Sequence, residues 1–199
     1  MGMLVDTAWE RGGGSGEPGA SRGASFTGLI VALAASMMVF AALTGAFVFR
    51  RGLSGDWTSV PKPPILFVNT GVLLASSFAL EMARRAVKAG IRPKFNAWWC
   101  AGAVLGVLFL FGQALAWQQL KDLGIYVATS PSSSFFYVLT ASHALHLVGG
   151  LAALIYVAVQ SLSPSLGPAK HTVIDISAIF WHFLDGLWVY LMVLLYVWG

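Results

Sequence analysis

Five long apolar runs decide what this chain can fold into. They cover about residues 25–49, 64–85, 96–120, 132–160 and 172–198. Crossing a hydrocarbon core of ~30 Å takes about 20 helical residues, and each run supplies that many. Backbone N–H and C=O groups find no water at that depth, so a crossing segment is a helix or a strand of a closed barrel. The runs show no strand-like alternation, which leaves helices. The expected class is therefore all-α, an integral membrane bundle of five transmembrane helices. Composition agrees, with 57% hydrophobic and only 10% charged residues and a mean hydropathy of +0.75, where a soluble domain carries roughly 25% charged residues.

Residues 1–24 have a different character. They include RGGGSGEPGASRGA, rich in Gly and Ser, and read as a flexible tail with too little apolar surface to fold. They do not read as a signal peptide, because the apolar run that follows is long and ends in Arg50 and Arg51. Residues 25–199 form the membrane domain, and its short connections leave no room for a separate soluble one.

The net charge of +4 does not point to nucleic acid, since the basic residues sit at the ends of the apolar runs. Arg11, Arg22, Arg84, Arg85, Lys88, Arg92, Lys94 and Lys170 lie on one side of the membrane, and Arg50, Arg51, Lys62 and Lys121 on the other. The positive-inside rule then places the N-terminus in the cytoplasm. Cys100 is the only cysteine, so there is no disulfide framework and no paired-thiol metal motif; it reads as an inert packing residue.

Several polar residues interrupt the runs at helical spacing. Thr70, Ser77, Glu81 and Arg84 form one stripe on the second helix, with Arg84 and Arg85 in reach of Glu81. His143, His146 and Gly150 share a face of the fourth helix, and Asp175, His182 and Asp185 a face of the fifth. Charged groups near a bilayer centre cost roughly 2.5–3.5 kcal/mol each on insertion scales, so they need a reason. A hydrogen-bonded clasp of His143, His146, His182 and Asp185 across the fourth and fifth helices is the reading preferred here. A haem or metal site lacks a complete ligand set, and a proton or ion relay remains the other possibility. Glu81, Arg84 and Arg85 read as an interfacial ion pair, with lipid headgroups or protons as further partners. Gly102 and Gly106 give a GxxxG spacing that lets a neighbouring helix approach. Trp98, Trp99, Trp117 and Trp198 read as interfacial anchors, and Trp188 as a deeper packing residue.

NTGVLLASS, FFYVLTASHALHLVGGL and FWHFLDGLWVYLMVLLYVWG together resemble subunit III of the haem–copper oxidases, the cytochrome c oxidase family, in its five-helix bacterial form. The resemblance covers residues 25–199 and implies a subunit with no catalytic centre, haem, copper or other metal of its own. It implies partners, oxidase subunits I and II, that carry haem and copper, and in some cases a larger respiratory supercomplex. It further implies stabilisation of subunit I, support of proton uptake, and phospholipid bound in a cleft between the first two helices and the other three. The location implied is a bacterial inner membrane. Two residues depart from the family pattern. Ala116 stands where many members have a glutamate, and Arg84 and Arg85 stand where many have paired histidines. Quinol oxidases and nitric oxide reductases have subunits that look alike; a haem-bearing membrane anchor or an ion transporter is the rival from another class.

Overall fold

A computed structural model of the chain describes residues 18–53, 55, 57, 59–161 and 168–199, the side chains of 18–22 and 168–171 excepted. Among these residues every regular element is an α-helix: α1 (Pro18–Leu53), α2 (Ile65–Lys88), α3 (Arg92–Asp122), α4 (Pro131–Ser161) and α5 (Pro168–Trp198). Each contains a stretch long and apolar enough to cross a membrane. Helix α1 begins at Pro18, inside the stretch expected as tail, while residues 1–17 lie outside the described set. So do Arg11 and the side chains of Arg22 and Lys170, on which the orientation partly rests.

The helix ends follow local chemistry. Both α2 and α3 close with a glycine in the left-handed region, Gly90 (φ 72°) and Gly124 (φ 75°), which a residue with a Cβ adopts only under strain. Each closure makes the paired bonds of a Schellman motif. Ile91 N–H reaches Ala86 O at 3.0 Å and Gly90 N–H reaches Val87 O at 3.1 Å; Ile125 and Gly124 do the same to Leu120 and Lys121. Helix α4 opens with a reciprocal cap: Ser133 N–H donates to Ser130 Oγ at 3.2 Å and Ser130 N–H to Ser133 Oγ at 3.0 Å. Pro131 follows as the first helical residue, where its missing N–H costs nothing.

Helices α2 and α3 form a tight antiparallel hairpin. Two hydrogen bonds one heptad apart run from α2 to backbone carbonyls of α3, Asn69 Nδ2 to Phe109 O at 3.0 Å and Ser76 Oγ to Gly102 O at 2.8 Å. The close approach depends on the glycines of the GxxxG pair. A Cβ on Gly102 would sit 2.7 Å from Leu80 Cδ2, and one on Gly106 would sit 2.6 Å from Trp181 Cη2 of α5. Helix α3 then ties to α4 through indole donors, Trp99 Nε1 to Leu154 O at 2.9 Å and Trp117 Nε1 to Thr140 Oγ1 at 3.1 Å. Trp99 is thus fully buried rather than an interfacial anchor. Cys100, expected as packing, is exposed, because it lies one position, and so about 100°, around the helix from Trp99.

Helix α5 is the shared neighbour of α1, α2 and α4. Among the described residues, helix α1 lies against α4 and α5 and not against α2. The cleft implied by the resemblance, with α1 and α2 as a pair facing the other three, is therefore not formed. Apolar grooves flank α5 instead, two of them against neighbouring helices. One, of about 290 Å³, is lined by Met37, Phe40, Ala41, Phe183, Leu187 and Tyr190. The other, also about 290 Å³, lies against α2 and is lined by Phe67, Thr70, Val189, Met192, Val193, Tyr196 and Val197. The reason is in the sequence of α2: two faces of it carry polar groups that must be buried against protein, and α3 and α5 occupy both.

Candidate functional site

The polar residues of α2 fall into two heptad rows set one residue apart. Asn69 and Ser76 form the row that bonds α3. Thr70, Ser77 and Arg84 form the next, turned about 100° further round the helix, and this row faces α5. Its three members meet three residues of α5 in reversed order, as antiparallel helices require. Arg84 Nε donates to Asp175 Oδ1 at 3.1 Å. A bond of 2.5 Å joins Ser77 Oγ and His182 Nδ1. Trp188 Nε1 donates to Thr70 Oγ1 at 3.0 Å. The seam runs from the end of the bundle that holds the α2–α3 hairpin towards the opposite end.

At the hairpin end the seam opens into an ion cluster. Glu81 accepts from Arg84 Nη1 at 3.3 Å and from Arg85 Nε at 3.2 Å, and Arg84 also holds Asp175. Arg84 is the enclosed member at 21% side-chain exposure, whereas Arg85 is 69% exposed. One guanidinium therefore joins two helices while the other faces outward. We expect a double-mutant cycle of Arg84→Gln with Asp175→Asn to give a coupling of about 0.5–1 kcal/mol, read from denaturation midpoints in detergent, as for partly exposed pairs. Arg85→Gln should move the midpoint much less.

The α4 histidines have a different setting. His143 is fully buried, and neither of its ring nitrogens has a hydrogen-bond partner. Its ring centre lies 5.0 Å from that of Trp188 at 30°, and 6.4 and 6.2 Å from those of Phe40 and Phe109 in edge-to-face arrangements. His146 Nδ1 bonds the carbonyl of Ser142 in its own helix at 2.8 Å, and its ring sits 5.3 Å from Phe40 of α1. Asp185 is only 4% exposed, and both carboxyl oxygens lack a hydrogen-bond partner.

The expected His-to-Asp bonds between α4 and α5 are thus not made. Helix α5 turns Trp181, Leu184 and Trp188 towards α4 and α3, with Trp181 and Leu184 closing on Gly150. His182 and Asp185 each follow one of these residues by one position, so they point about 100° away. His182 goes to α2, and the α4 histidines are left with aromatic neighbours. The structure joins His182 to Ser77 and Glu81 to Arg84 and Arg85, while His143 and Asp185 stay without hydrogen bonds. Gln113 was not singled out from sequence, yet it too is buried with both amide atoms unpartnered. An amide inside an apolar run was the available signal. No three of His, Cys, Asp and Glu converge into a metal-ligating group among the described residues.

The residues quoted above as a resemblance lie on α2, α4 and α5, and comparison with known proteins extends it to the whole bundle. The sequence pattern of the family "Cytochrome c oxidase subunit III" matches residues 19–199. This chain belongs to the cytochrome c oxidase subunit III family. With the family comes its place as subunit III of an aerobic terminal oxidase. The probable cytochrome c oxidase subunit 3 of Mycobacterium tuberculosis is 33% identical over 174 residues, covering 85% of each chain. Cytochrome c oxidase subunit 3 of Thermostichus vulcanus is 32% identical over 174 residues, again 85% of each. That of Synechocystis is 29% identical over 175 residues, 85% of this chain and 74% of its own. Membership makes the chain a multi-pass membrane protein.

Proposed function

We propose that the chain packs against the catalytic subunit I of a cytochrome c oxidase in a bacterial inner membrane, beside subunit II. Haem and copper reside in those partners, and this subunit stabilises subunit I, supports proton uptake and holds phospholipid. The observation that carries the reading is the family match across residues 19–199, which takes in all five helices. The packing of α1 supports it. Ile30, Val31, Met37, Met38 and Phe49 are each more than half exposed on that helix. Such a face suits lipid or a neighbouring subunit. The apolar grooves beside α5 are of a size for acyl chains, and Arg85 is placed to meet an anionic headgroup. The hairpin end is assigned to the cytoplasm on the Lys and Arg balance.

Affinity purification of the tagged chain from its native membranes tests this. We expect haem and copper subunits to co-purify, with the metal content accounted for by those partners. A chain that purifies without oxidase subunits would overturn the reading, as would a haem spectrum from the chain alone. Cysteine-accessibility labelling at Lys88 and Lys121 positions should report opposite sides of the membrane, with Lys88 cytoplasmic.

A further inference from the structure

We propose that Asp185 is a proton-holding site at the middle of the membrane domain, reached from the hairpin end through Glu81, His182 and Ser77. The inference does not rest on the oxidase assignment, because it concerns groups within this chain. Asp185 lies near the midpoint of α5, ten residues beyond Asp175 in the chain, or about 15 Å along the helix axis. It is 4% exposed, no ion pair reaches it among the described residues, and neither oxygen has a hydrogen-bond partner. An ionised carboxylate in that state has nothing to replace its lost hydration, whereas the neutral acid has far less to lose.

The charged and titratable neighbours are few. On α2 these are Glu81 and Arg84, with the Ser77 hydroxyl nearer; on α5 they are Asp175 and His182; on α4 they are His143 and His146. Helix α1 carries Arg50 and Arg51 at the far end, and the side chain of its Arg22 lies outside the described residues. Both nearby cationic centres are already committed at the hairpin end, Arg84 to Asp175 and Glu81, and Arg85 to Glu81.

The same residues that seam α2 to α5 give a file to Asp185. Glu81 stands at the open end and lies within electrostatic reach of His182. His182 Nδ1 bonds Ser77 Oγ at 2.5 Å. Ser77 is also a neighbour of Asp185, short of hydrogen-bonding geometry to either oxygen. In the transfer, a proton taken up by the His182 ring leaves Nδ1 for Ser77 Oγ while the serine's own proton passes to an Asp185 oxygen. The histidine returns to its neutral form and the carboxylate becomes the acid, with no other species consumed. The gap between Ser77 and Asp185 makes a small side-chain movement the gate, so exchange is slow compared with a surface carboxyl.

Infrared spectroscopy of the complex in native lipid at neutral pH tests both parts. A carboxylic-acid carbonyl band that shifts in D₂O should be present in the wild type and missing in Asp185→Asn. Ser77→Ala should slow its shift in D₂O by about tenfold or more, the factor that goes with roughly 1.4 kcal/mol of added barrier. If Asp185→Asn does not assemble, a lipid-soluble carbodiimide, which couples only to protonated carboxyls, is applied to the wild type and the adduct located by mass spectrometry. A band unchanged by Asp185→Asn, or wild-type protein without an adduct on Asp185 in that second case, overturns the proton site. A D₂O shift as fast in Ser77→Ala as in the wild type overturns the route; should that variant not assemble, His182→Gln replaces it under the same criterion.

Discussion

Trp188→Ala is expected to remove about 3–5 kcal/mol of stability, the range for deleting a fully buried large aromatic. The ring is wholly enclosed and is the point where four helices meet. Its Nε1 donates to Thr70 on α2, its ring centre lies 5.0 Å from that of Phe109 on α3 at 88°, and 5.0 Å from that of His143 on α4. Truncation opens a void that those rings cannot fill together, and His143 loses the face against which its unpartnered ring is packed. Trp188→Phe separates packing from hydrogen bonding. It keeps an aromatic body and drops only the bond to Thr70, and interhelical bonds of that type average about 0.6 kcal/mol. Denaturant titration of the purified complex should show a large fall in midpoint for alanine and a small one for phenylalanine. Equal falls would mean that the indole N–H, and not the ring, carries the effect.

Gly106→Leu is expected to have a comparable effect by the opposite means. Even the first carbon of the new side chain would sit 2.6 Å from Trp181 Cη2 and 2.8 Å from Cζ2. Trp181 cannot retreat, since it is fully buried and is approached from α4 at Gly150, where a Cβ would lie 3.3 Å from its Cε3. Overpacking in a filled core costs typically 1–3 kcal/mol, and more where no neighbour can move. Gly149→Leu is the control, because a Cβ there meets nothing within 4 Å. We expect Gly106→Leu to reduce the amount of chain recovered in membranes and in the complex, and Gly149→Leu to leave both near wild type. A Gly106→Leu protein recovered at wild-type yield with an unchanged midpoint would show that α3 does not press on α5 as described.

Much of the seam could be read in the sequence, but only as halves. Thr70, Ser77 and Arg84 repeat every seven residues on α2, and Asp175 and His182 repeat at seven on α5. Periodicity puts each set on one face of its own helix. It does not say which helix that face meets. His143 and His146 share a face with the same regularity as His182 and Asp185, so a clasp between α4 and α5 was as reasonable on spacing as the seam between α2 and α5. The choice between them turned on a rotation of about 100°, a single residue step. That step puts Trp181, Leu184 and Trp188 against α4 and leaves His182 to Ser77. Trp99 and Cys100 show the same sensitivity: neighbours in sequence, one is enclosed and bonded to Leu154 and the other exposed.

The sequence by itself determined that the described residues form five helices long and apolar enough to cross a membrane, and it marked their ends only roughly, since α1 reaches back to Pro18. Hydropathy and backbone hydrogen bonding act within each segment, and Gly90, Gly124 and the Ser130–Ser133 cap act within a few residues. Tertiary structure alone decided which polar groups are paired and which are stranded. Partner choice depends on the rotation of each helix about its axis and on which helices are neighbours, and both follow from packing every side chain at once. Hence Asp185 and His143, which looked in the sequence like two ends of one bond, are buried groups with no hydrogen bond, while Ser77, one member of a polar stripe whose partner the sequence did not name, holds the centre of the seam.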